Sequence, residues 1–371
     1  MFLCSRLMEK IKKMKITILI NGVGGPTPRS IARSLHRYSN LDVRLIGTDV
    51  NPLAYGLYED TLYDKTYVIP PAGHDKYWST IEKIVADEKI KLAIVQPELE
   101  VLEWTTYKSL GNNWPCKVLL PDLAIVENLI DKSLMTELLK DTDLVPNSLD
   151  ISPQNMDLEL ISEKLGYPFW IRSTSGSSGL GSLKVEDANS LKNWVTINPK
   201  VSKFIGSTFL PGRNLACKLL FNEGKLLRAA SGERVNYIMS KVAPSGITGN
   251  TSFGRLLNEP KLVELSEKAL RIVEKNAGKK LHGFFTADFK EDEKGKPFLT
   301  EINVRMVAFN MSFAAGGANF SEDIVNLLLN PDTFDQDYRM YEFEKDLIFL
   351  RDVDAEPILM KESDLKNNNF N

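Results

Sequence analysis

A chain of 371 residues is too long for one ordinary hydrophobic core, so two or three domains are expected. With 43% hydrophobic and 26% charged residues it has the composition of a globular protein, and a net charge of -3 gives no general attraction to nucleic acid or to an anionic membrane. Cys4, Cys116 and Cys217 are scattered and odd in number, which suggests neither a disulfide framework nor a zinc motif and makes the cytoplasm the expected compartment.

The chain begins apolar and then turns basic, with Phe2-Leu3-Cys4 ahead of Lys10, Lys12 and Lys13, the reverse of a signal peptide. Met14 directly precedes an apolar strand, so residues 1–13 are expected to be a dispensable extension and Met14 an alternative start. Residues 16–20 read as a buried strand, Gly22, Gly24 and Gly25 as a loop, residues 29–38 as a helix and residues 43–49 as a second strand. This opening invites a dinucleotide site with Asp49 on a ribose. Against it, Thr27 stands where the fingerprint needs glycine or alanine, and Pro26 removes an amide donor from the turn. A helix at 77–87, a strand at 92–95 and a turn at 96–100 follow. Ligands of open α/β sheets gather at the carboxyl ends of strands, so Gln96, Glu98 and Glu100 are candidates to face a substrate amino group. The competing expectation is a solvated helix start, which favours acids.

Residues 124–140 read as amphipathic helices containing Lys132, Pro146 opens an extended segment, and residues 157–165 form a helix ended by Gly166 and Pro168. An apolar strand then reaches Arg172 and runs into Ser173-Thr174-Ser175-Gly176-Ser177-Ser178-Gly179-Leu180-Gly181-Ser182. Small residues let backbone N–H groups approach phosphate oxygens and serines add hydroxyl donors, although no Gly-Lys-Ser/Thr closes a Walker loop. With Leu183-Lys184-Val185 as the returning strand, the segment reads as a hairpin flap.

A strand from Phe204 turns at Leu210-Pro211-Gly212 into residues 215–221, and Asn222-Glu223-Gly224 turns these back into residues 225–230. Arg228, Arg234 and Lys241 precede a Gly/Ser/Thr-rich loop at 244–254, and any of them could pair with a substrate carboxylate; Gly232-Glu233-Arg234 places Arg234 first among them. His36, His74 and His282 have no ligand partners at metal spacing. Residues 283–289 and 298–305 read as two strands joined by a polar turn at 291–296, which would set Asp288 beside Glu301. Glu301, Asn303 and Arg305 alternate and so share a face, opposite Leu299, Ile302 and Val304. Carboxylate and amide oxygens of this kind suit Mg²⁺ carrying a nucleotide. Residues 341–351 and 356–360 read as late strands with a turn at 352–356.

Taken in order, Asp131-Lys132, Arg172 with its Gly/Ser loop, residues 210–214, Asp288 and Glu301-Ile302-Asn303-Val304-Arg305 resemble the ATP-grasp enzymes, and among them the short carbamoyl-phosphate-synthetase-like carboxylate–amine ligases. The resemblance runs from about Lys15 to at least Asn330. It implies an α/β plus α+β architecture: a Rossmann-like pre-ATP-grasp domain at 14–125, an N-terminal ATP-grasp lobe with the glycine-rich flap at 126–206, a C-terminal lobe with the metal site at 207–362, and a disordered tail at 363–371. By the same resemblance Lys132 and Arg172 hold ATP phosphates, and Ser175, Ser177, Ser178, Gly179 and Gly181 close over them. Thr208, Phe209 and Leu210 form the hinge against the adenine, with Asn214 toward the ribose. Asp288, Glu301 and Asn303 bind one or two Mg²⁺, or Mn²⁺, and Arg305 with Arg172 steadies the transferred phosphate. Thr208 and Asn214 depart from the family pattern, which often has a glutamate near the adenine and an acid at the ribose.

The implied reaction joins a carboxylate and an amine, on amino acids or similar small substrates, through an acyl phosphate with release of ADP and phosphate. Other ATP-grasp chemistry (carboxyphosphate formation or phosphoryl transfer), a non-catalytic ATP-binding regulator and an NAD-dependent oxidoreductase are the alternatives. The expected partners are the two small substrates and a second copy of the chain, with no nucleic acid or membrane.

Overall fold

The computed structural model describes residues 15–176, 179, 181–307, 309–353, 358–361 and 363. The expected N-terminal extension, Ser177, Ser178 and most of the expected tail lie outside these residues.

The first sheet is parallel. Its chain order is β1 (Ile16–Asn21), α1 (Pro26–Arg37), β2 (Val43–Asp49), β3 (Lys65–Val68), α2 (Tyr77–Glu88), β4 (Leu92–Ile94), α3 (Glu98–Ser109) and β5 (Lys117–Val118), and its spatial order is β3-β2-β1-β4-β5. β1 and β2 are buried almost throughout, as strands are when both sheet faces are covered. Helix α1 starts three residues ahead of the expected Arg29: Pro26 and Pro28 fall in its first turn, where no intrahelical acceptor exists for the missing N–H groups. The expected turn at 96–100 ends early because Glu98 opens α3, whose first turn carries Glu98 and Glu100 against the helix dipole. Asp49 accepts from the Gly24 amide at 2.8 Å and the Asn51 amide at 2.9 Å, so its carboxylate braces its own loops rather than standing free for a ribose.

Two short helices follow, α4 (Leu123–Ile130) and α5 (Lys132–Leu139), N-capped by Asp122 and Asp131. The second sheet is antiparallel, built from β6 (Ser148–Ile151), α6 (Leu158–Leu165), β7 (Phe169–Ser173), β8 (Leu183–Val185), α7 (Ala188–Ile197) and β9 (Phe204–Thr208) in the order β6-β9-β7-β8. Its own small core gathers Ile151, Ile161, Phe169, Leu191 and Phe204. The expected flap hairpin is present, with Trp170 paired to Lys184.

The third sheet takes the rest: β10 (Asn214–Asn222), β11 (Lys225–Tyr237), β12 (Thr251–Leu257), α8 (Pro260–Ala277), β13 (Gly283–Glu291), β14 (Pro297–Asn303), α9 (Asn310–Ala315), α10 (Phe320–Leu329), β15 (Arg339–Met340), β16 (Leu347–Leu350) and β17 (Ile358–Lys361). The strand order is β14-β13-β10-β11-β12-β16-β17, with β15 alongside β11. Helix α8 buries the stripe of Leu262, Val263, Ser266, Ala269, Leu270 and Val273, the spacing of one helical face. The loop expected at 244–254 ends at Asn250, where β12 begins. Of the strand expected at 341–351, only Leu347–Leu350 pairs, against β12 and β17, so the late strands do extend the sheet. The expected turn at 352–356 falls mostly outside the described residues.

Helices α9 and α10 return to the first sheet. The Met311 amide donates to Ser30 Oγ at 2.8 Å, and Asn319 Nδ2 donates to the Tyr38 carbonyl at 2.9 Å, which ties the last third of the chain to α1. Among the described residues no helix is long and apolar enough to cross a membrane.

Candidate active site

A cleft of about 700 Å³ opens between the two antiparallel sheets. Lys132 reaches it from the first turn of α5, where Asp131 caps the helix by accepting from the Ser133 and Leu134 amides. Its Nζ donates to the Gly176 carbonyl at 2.8 Å and stands 3.5 Å from Glu301 Oε2. Arg172, next to last in β7, donates to the Thr300 carbonyl and brings Nη1 to 3.7 Å from the same Glu301 oxygen. One cation from α5 and one from the second sheet thus converge on one acid of the third.

That acid owes its direction to an irregular register. Asp288 pairs with Glu301, but Phe289 pairs with Leu299, so Thr300 is an extra residue in β14. A strict alternation would send Leu299 and Glu301 to the same face; the bulge lets Leu299 and Ile302 both point into the core, at 1% and 3% exposure, while Glu301 faces the cleft. Asn303 Nδ2 donates to Glu301 Oε1 at 3.1 Å, which leaves its Oδ1 open, and Arg234 Nη2 donates to Asp288 Oδ1 at 2.5 Å. Two carboxylates and an amide oxygen on adjacent strands are hard donors suited to magnesium, with water and substrate phosphates completing the shell. No trio of His, Cys, Asp or Glu gathers among the described residues.

Facing acids cannot both keep a full charge cheaply. Burial, more than the Arg234 partner offsets, pushes the Asp288 carboxyl well above the usual range. Burial works the same way on Glu301, but Lys132 and Arg172 outweigh it and hold this carboxyl low.

The hinge expected at Thr208, Phe209 and Leu210 joins β9 to β10, and all three residues line the cleft beside Asn214. Lys184 of β8 lies 4.8 Å over the Phe209 ring, and Lys290 of β13 donates to the Gly212 carbonyl. Neither was among the expected residues, although the alternation Leu183-Lys184-Val185 marks Lys184 as facing away from the core. The flap divides: Gly176 and Gly179 line the cleft, Ser175 is exposed, and the Gly181 carbonyl accepts from Trp194 Nε1 at 2.9 Å, which fixes it to α7. Ser177 and Ser178 lie outside the described residues.

Several expected placements change. Arg305 does not continue the β14 alternation, because the strand ends at Asn303; it is half-buried, and Nη1 donates to the Met306 carbonyl at 3.2 Å. Arg228 is 2% exposed and bonds the Asp335 and Asp337 carbonyls, pinning the loop before β15 rather than facing a substrate. Glu98, Gln96 and Glu100 are not among the cleft-lining residues. Glu100 is buried instead between Asn21 Nδ2 and the Tyr77 hydroxyl, each 2.5 Å from its Oε2. Arg234 and Lys241 do line the cleft.

No protein-family model matches the chain, and no curated protein matches it in sequence. Solved structures do. N5-carboxyaminoimidazole synthetase from Staphylococcus aureus, complexed with ADP, superposes with a TM-score of 0.66 at 14% identity over 91% of this chain and 83% of that one. L-amino acid ligase from Bacillus licheniformis gives a TM-score of 0.62 at 13% identity over 90% and 78%. D-alanine–D-alanine ligase from Bacillus anthracis gives 0.54 at 13% identity over 85% and 96%. Identities this low speak to shape and not to chemistry, and on shape, parallel sheet first and two antiparallel sheets after it, the chain has the fold of the ATP-grasp superfamily.

Proposed function

We propose that the protein is an ATP-dependent carboxylate–amine ligase that works through an acyl phosphate. The observation that carries this reading is the meeting of Lys132, Arg172 and the glycine flap with Asp288 and Glu301 in one cleft between two lobes, with Asn303 bonded to Glu301 behind them. Two of the similar structures are of amino acid ligases, which supports an acid and an amine as substrates; others carry ADP, which supports the nucleotide. In this reading residues 14–125 precede the ATP-grasp core, residues 126–206 form its first lobe and residues 207–362 its second.

Adenine packs at Phe209 beneath Lys184, with Thr208 and Leu210 offering backbone groups to its edge. Lys132, Arg172 and the flap amides hold the phosphates. Asp288, Glu301 and the Asn303 amide oxygen hold one or two magnesium ions, or manganese, whose bound charge offsets that of the phosphates as they react. The protein's own work is positional and electrostatic. Arg172, with Arg305 near the end of β14, stabilises the charge that builds as a substrate carboxylate oxygen attacks the γ-phosphorus and ADP departs. An amine nitrogen then attacks the acyl carbon, phosphate leaves, and the nitrogen gives up a proton. The flap, closed over the cleft, keeps water from taking the place of the amine. No side-chain nucleophile is required.

The test is Mg²⁺-dependent ADP release with pooled amino acids and small carboxylic acids, read beside mass spectrometry. A product lighter by one water than its two parents is the expected result. Glu301→Ala should lower turnover by roughly a hundredfold or more while circular dichroism stays unchanged. Unaltered turnover in that variant overturns the reading.

A further inference from the structure

Charge does not balance at the inner end of this site. Arg234 is answered by Asp288, and Lys132 and Arg172 by Glu301. Lys218 and Arg351 lie beside them without an acid at ion-pair distance, and Arg305, past the end of β14, has none either. Lys218 of β10 is fully buried; its Nζ sits 5.0 Å from the Phe309 ring centre and 4.7 Å from that of Phe313, and its hydrogen-bond partner is the amide oxygen of Asn310. Arg351, just past β16, donates Nη1 to the Thr251 carbonyl at 3.0 Å, and Arg305 donates to the Met306 carbonyl. Among the described residues no carboxylate comes within ion-pair reach of these three.

Lys218 and Arg351 form one cluster that meets the cleft at Arg234. The Arg234 guanidinium lies 5.3 Å from the same Phe309 ring that Lys218 covers, and Phe309 stacks on Phe349, two residues before Arg351. Arg234 is the leading charge acting on both Lys218 and Arg351, and α1 adds Arg29 and Arg33 on the far side of Arg351. Donors without acceptors point the same way. Arg234 Nε, Arg305 Nε and Asn310 Nδ2 are all buried with no hydrogen-bond partner, and Asn310 is 6% exposed. Because a lysine can only donate, Asn310 must turn its oxygen to Lys218, which leaves its NH₂ as a further donor. A buried basic group without an acid gives up its charge or is completed by an anion; burial and the Arg234 charge hold the Lys218 ammonium well below its usual range, and a bound anion would restore it. Nucleotide phosphates belong to the Lys132, Arg172 and flap side of the cleft, and so do not supply that anion.

We infer that the acid activated here carries a second anionic group, held by Lys218, Arg351 and the Asn310 amide while its reacting carboxylate lies at the Asp288–Glu301 face. The substrate class is a small dianionic acid. This rests on the ligase reading of the cleft and narrows its acid.

The test titrates the full-length protein, with Mg²⁺ and a non-hydrolysable ATP analogue, against acids of matched length: succinate and glutarate, butyrate and valerate, glutamate and glutamine, and 3-phosphonopropionate. Calorimetry should show at least tenfold tighter binding of one or more dianions than of their monoanionic matches, with the phosphonate arm deciding between carboxylate and phosphate as the second group. Lys218→Met and Arg351→Gln, two independent variants, should each erase that discrimination while leaving affinity for the ATP analogue unchanged. Equal binding of monoanions and dianions, binding of none, or discrimination that survives both variants overturns the inference. The ligase reading fails separately: a dianion that binds tightly but never drives ADP release with any amine upholds the anion site and removes the reaction, whereas ADP release driven equally by monoanions keeps the reaction and removes the dianion.

Discussion

Glu100 shows how a residue chosen for one role serves another. Its position after β4 suggested a substrate contact, yet it is 3% exposed and tied to Asn21 and Tyr77, whose hydroxyl in turn accepts from Trp104 Nε1 at 2.9 Å. Burial raises its carboxyl to about 7, more than the bonds from Tyr77 and Asn21 lower it, and the charge of Asp49 adds to the rise. A carboxyl that holds its proton more tightly when folded stabilises the fold fully below its unfolded value near 4.5, and that stability is lost as pH rises through about 7. The expected loss is of order 3 kcal/mol at most. Glu100→Gln, which keeps an acceptor oxygen but not the charge, should raise the thermal midpoint at pH 8 and leave it nearly unchanged at pH 4. Equal shifts at both pH values would show that the charge has no part in it. Asp288, Glu301, Asn303 and Arg172 were legible as a group because each sits on a strand whose alternation could be counted. Lys218 and Arg351 were not, since a buried lysine in an apolar strand reads like any other edge charge until its neighbours are known.

Elements divide in the same way. Hairpins and the flap strands were readable from turn residues and from period-2 runs, and Gly166 with Pro168 marked the end of α6. Helix α3 bears out the competing expectation of a helix start at 96–100, whereas α7, α8, α9 and α10 lay outside the expected elements, although the α8 stripe is a clear helical signal. The Thr300 bulge was beyond reach of pattern alone: Leu299, Ile302 and Val304 do not share parity, and only pairing with β13 decides where the extra residue goes. The flap carries the sharpest prediction at this scale. Gly179 has φ of +74°, and a Cβ there would meet the Ile247 carbonyl at 2.6 Å, so the flap tip seats against the loop between β11 and β12. Gly179→Ala should cut turnover about tenfold or more, with thermal stability little changed, because the strain falls on closure and not on a core. Stability lost together with turnover would place Gly179 in the fold and not in closure.

At the scale of the whole molecule, the site exists only where two sheets and three distant stretches of chain meet. Lys132 and Glu301 are joined by neither sequence nor a shared element, and α9 and α10 hold the third sheet to α1 through Ser30 and Asn319. A ligand bound across such a cleft links the lobes. Mg²⁺ with an ATP analogue at a hundred times its dissociation constant should therefore stabilise the fold by about 2.7 kcal/mol. Chelation of the metal should remove most of that gain if the acids of β13 and β14 share the ion with the phosphates, and a gain indifferent to chelation would mean that the nucleotide binds without them. The sequence by itself determined the order of the main strands and the hairpin that sets Asp288 against Glu301, since these follow from local periodicity and turn chemistry. Tertiary structure alone decided the bulge that aims Glu301, the burial of Glu100 and Arg228, and the gathering of Lys218 and Arg351 around Arg234. Those depend on which surfaces pack together, and burial and net charge are properties of the packed surfaces rather than of any segment taken alone.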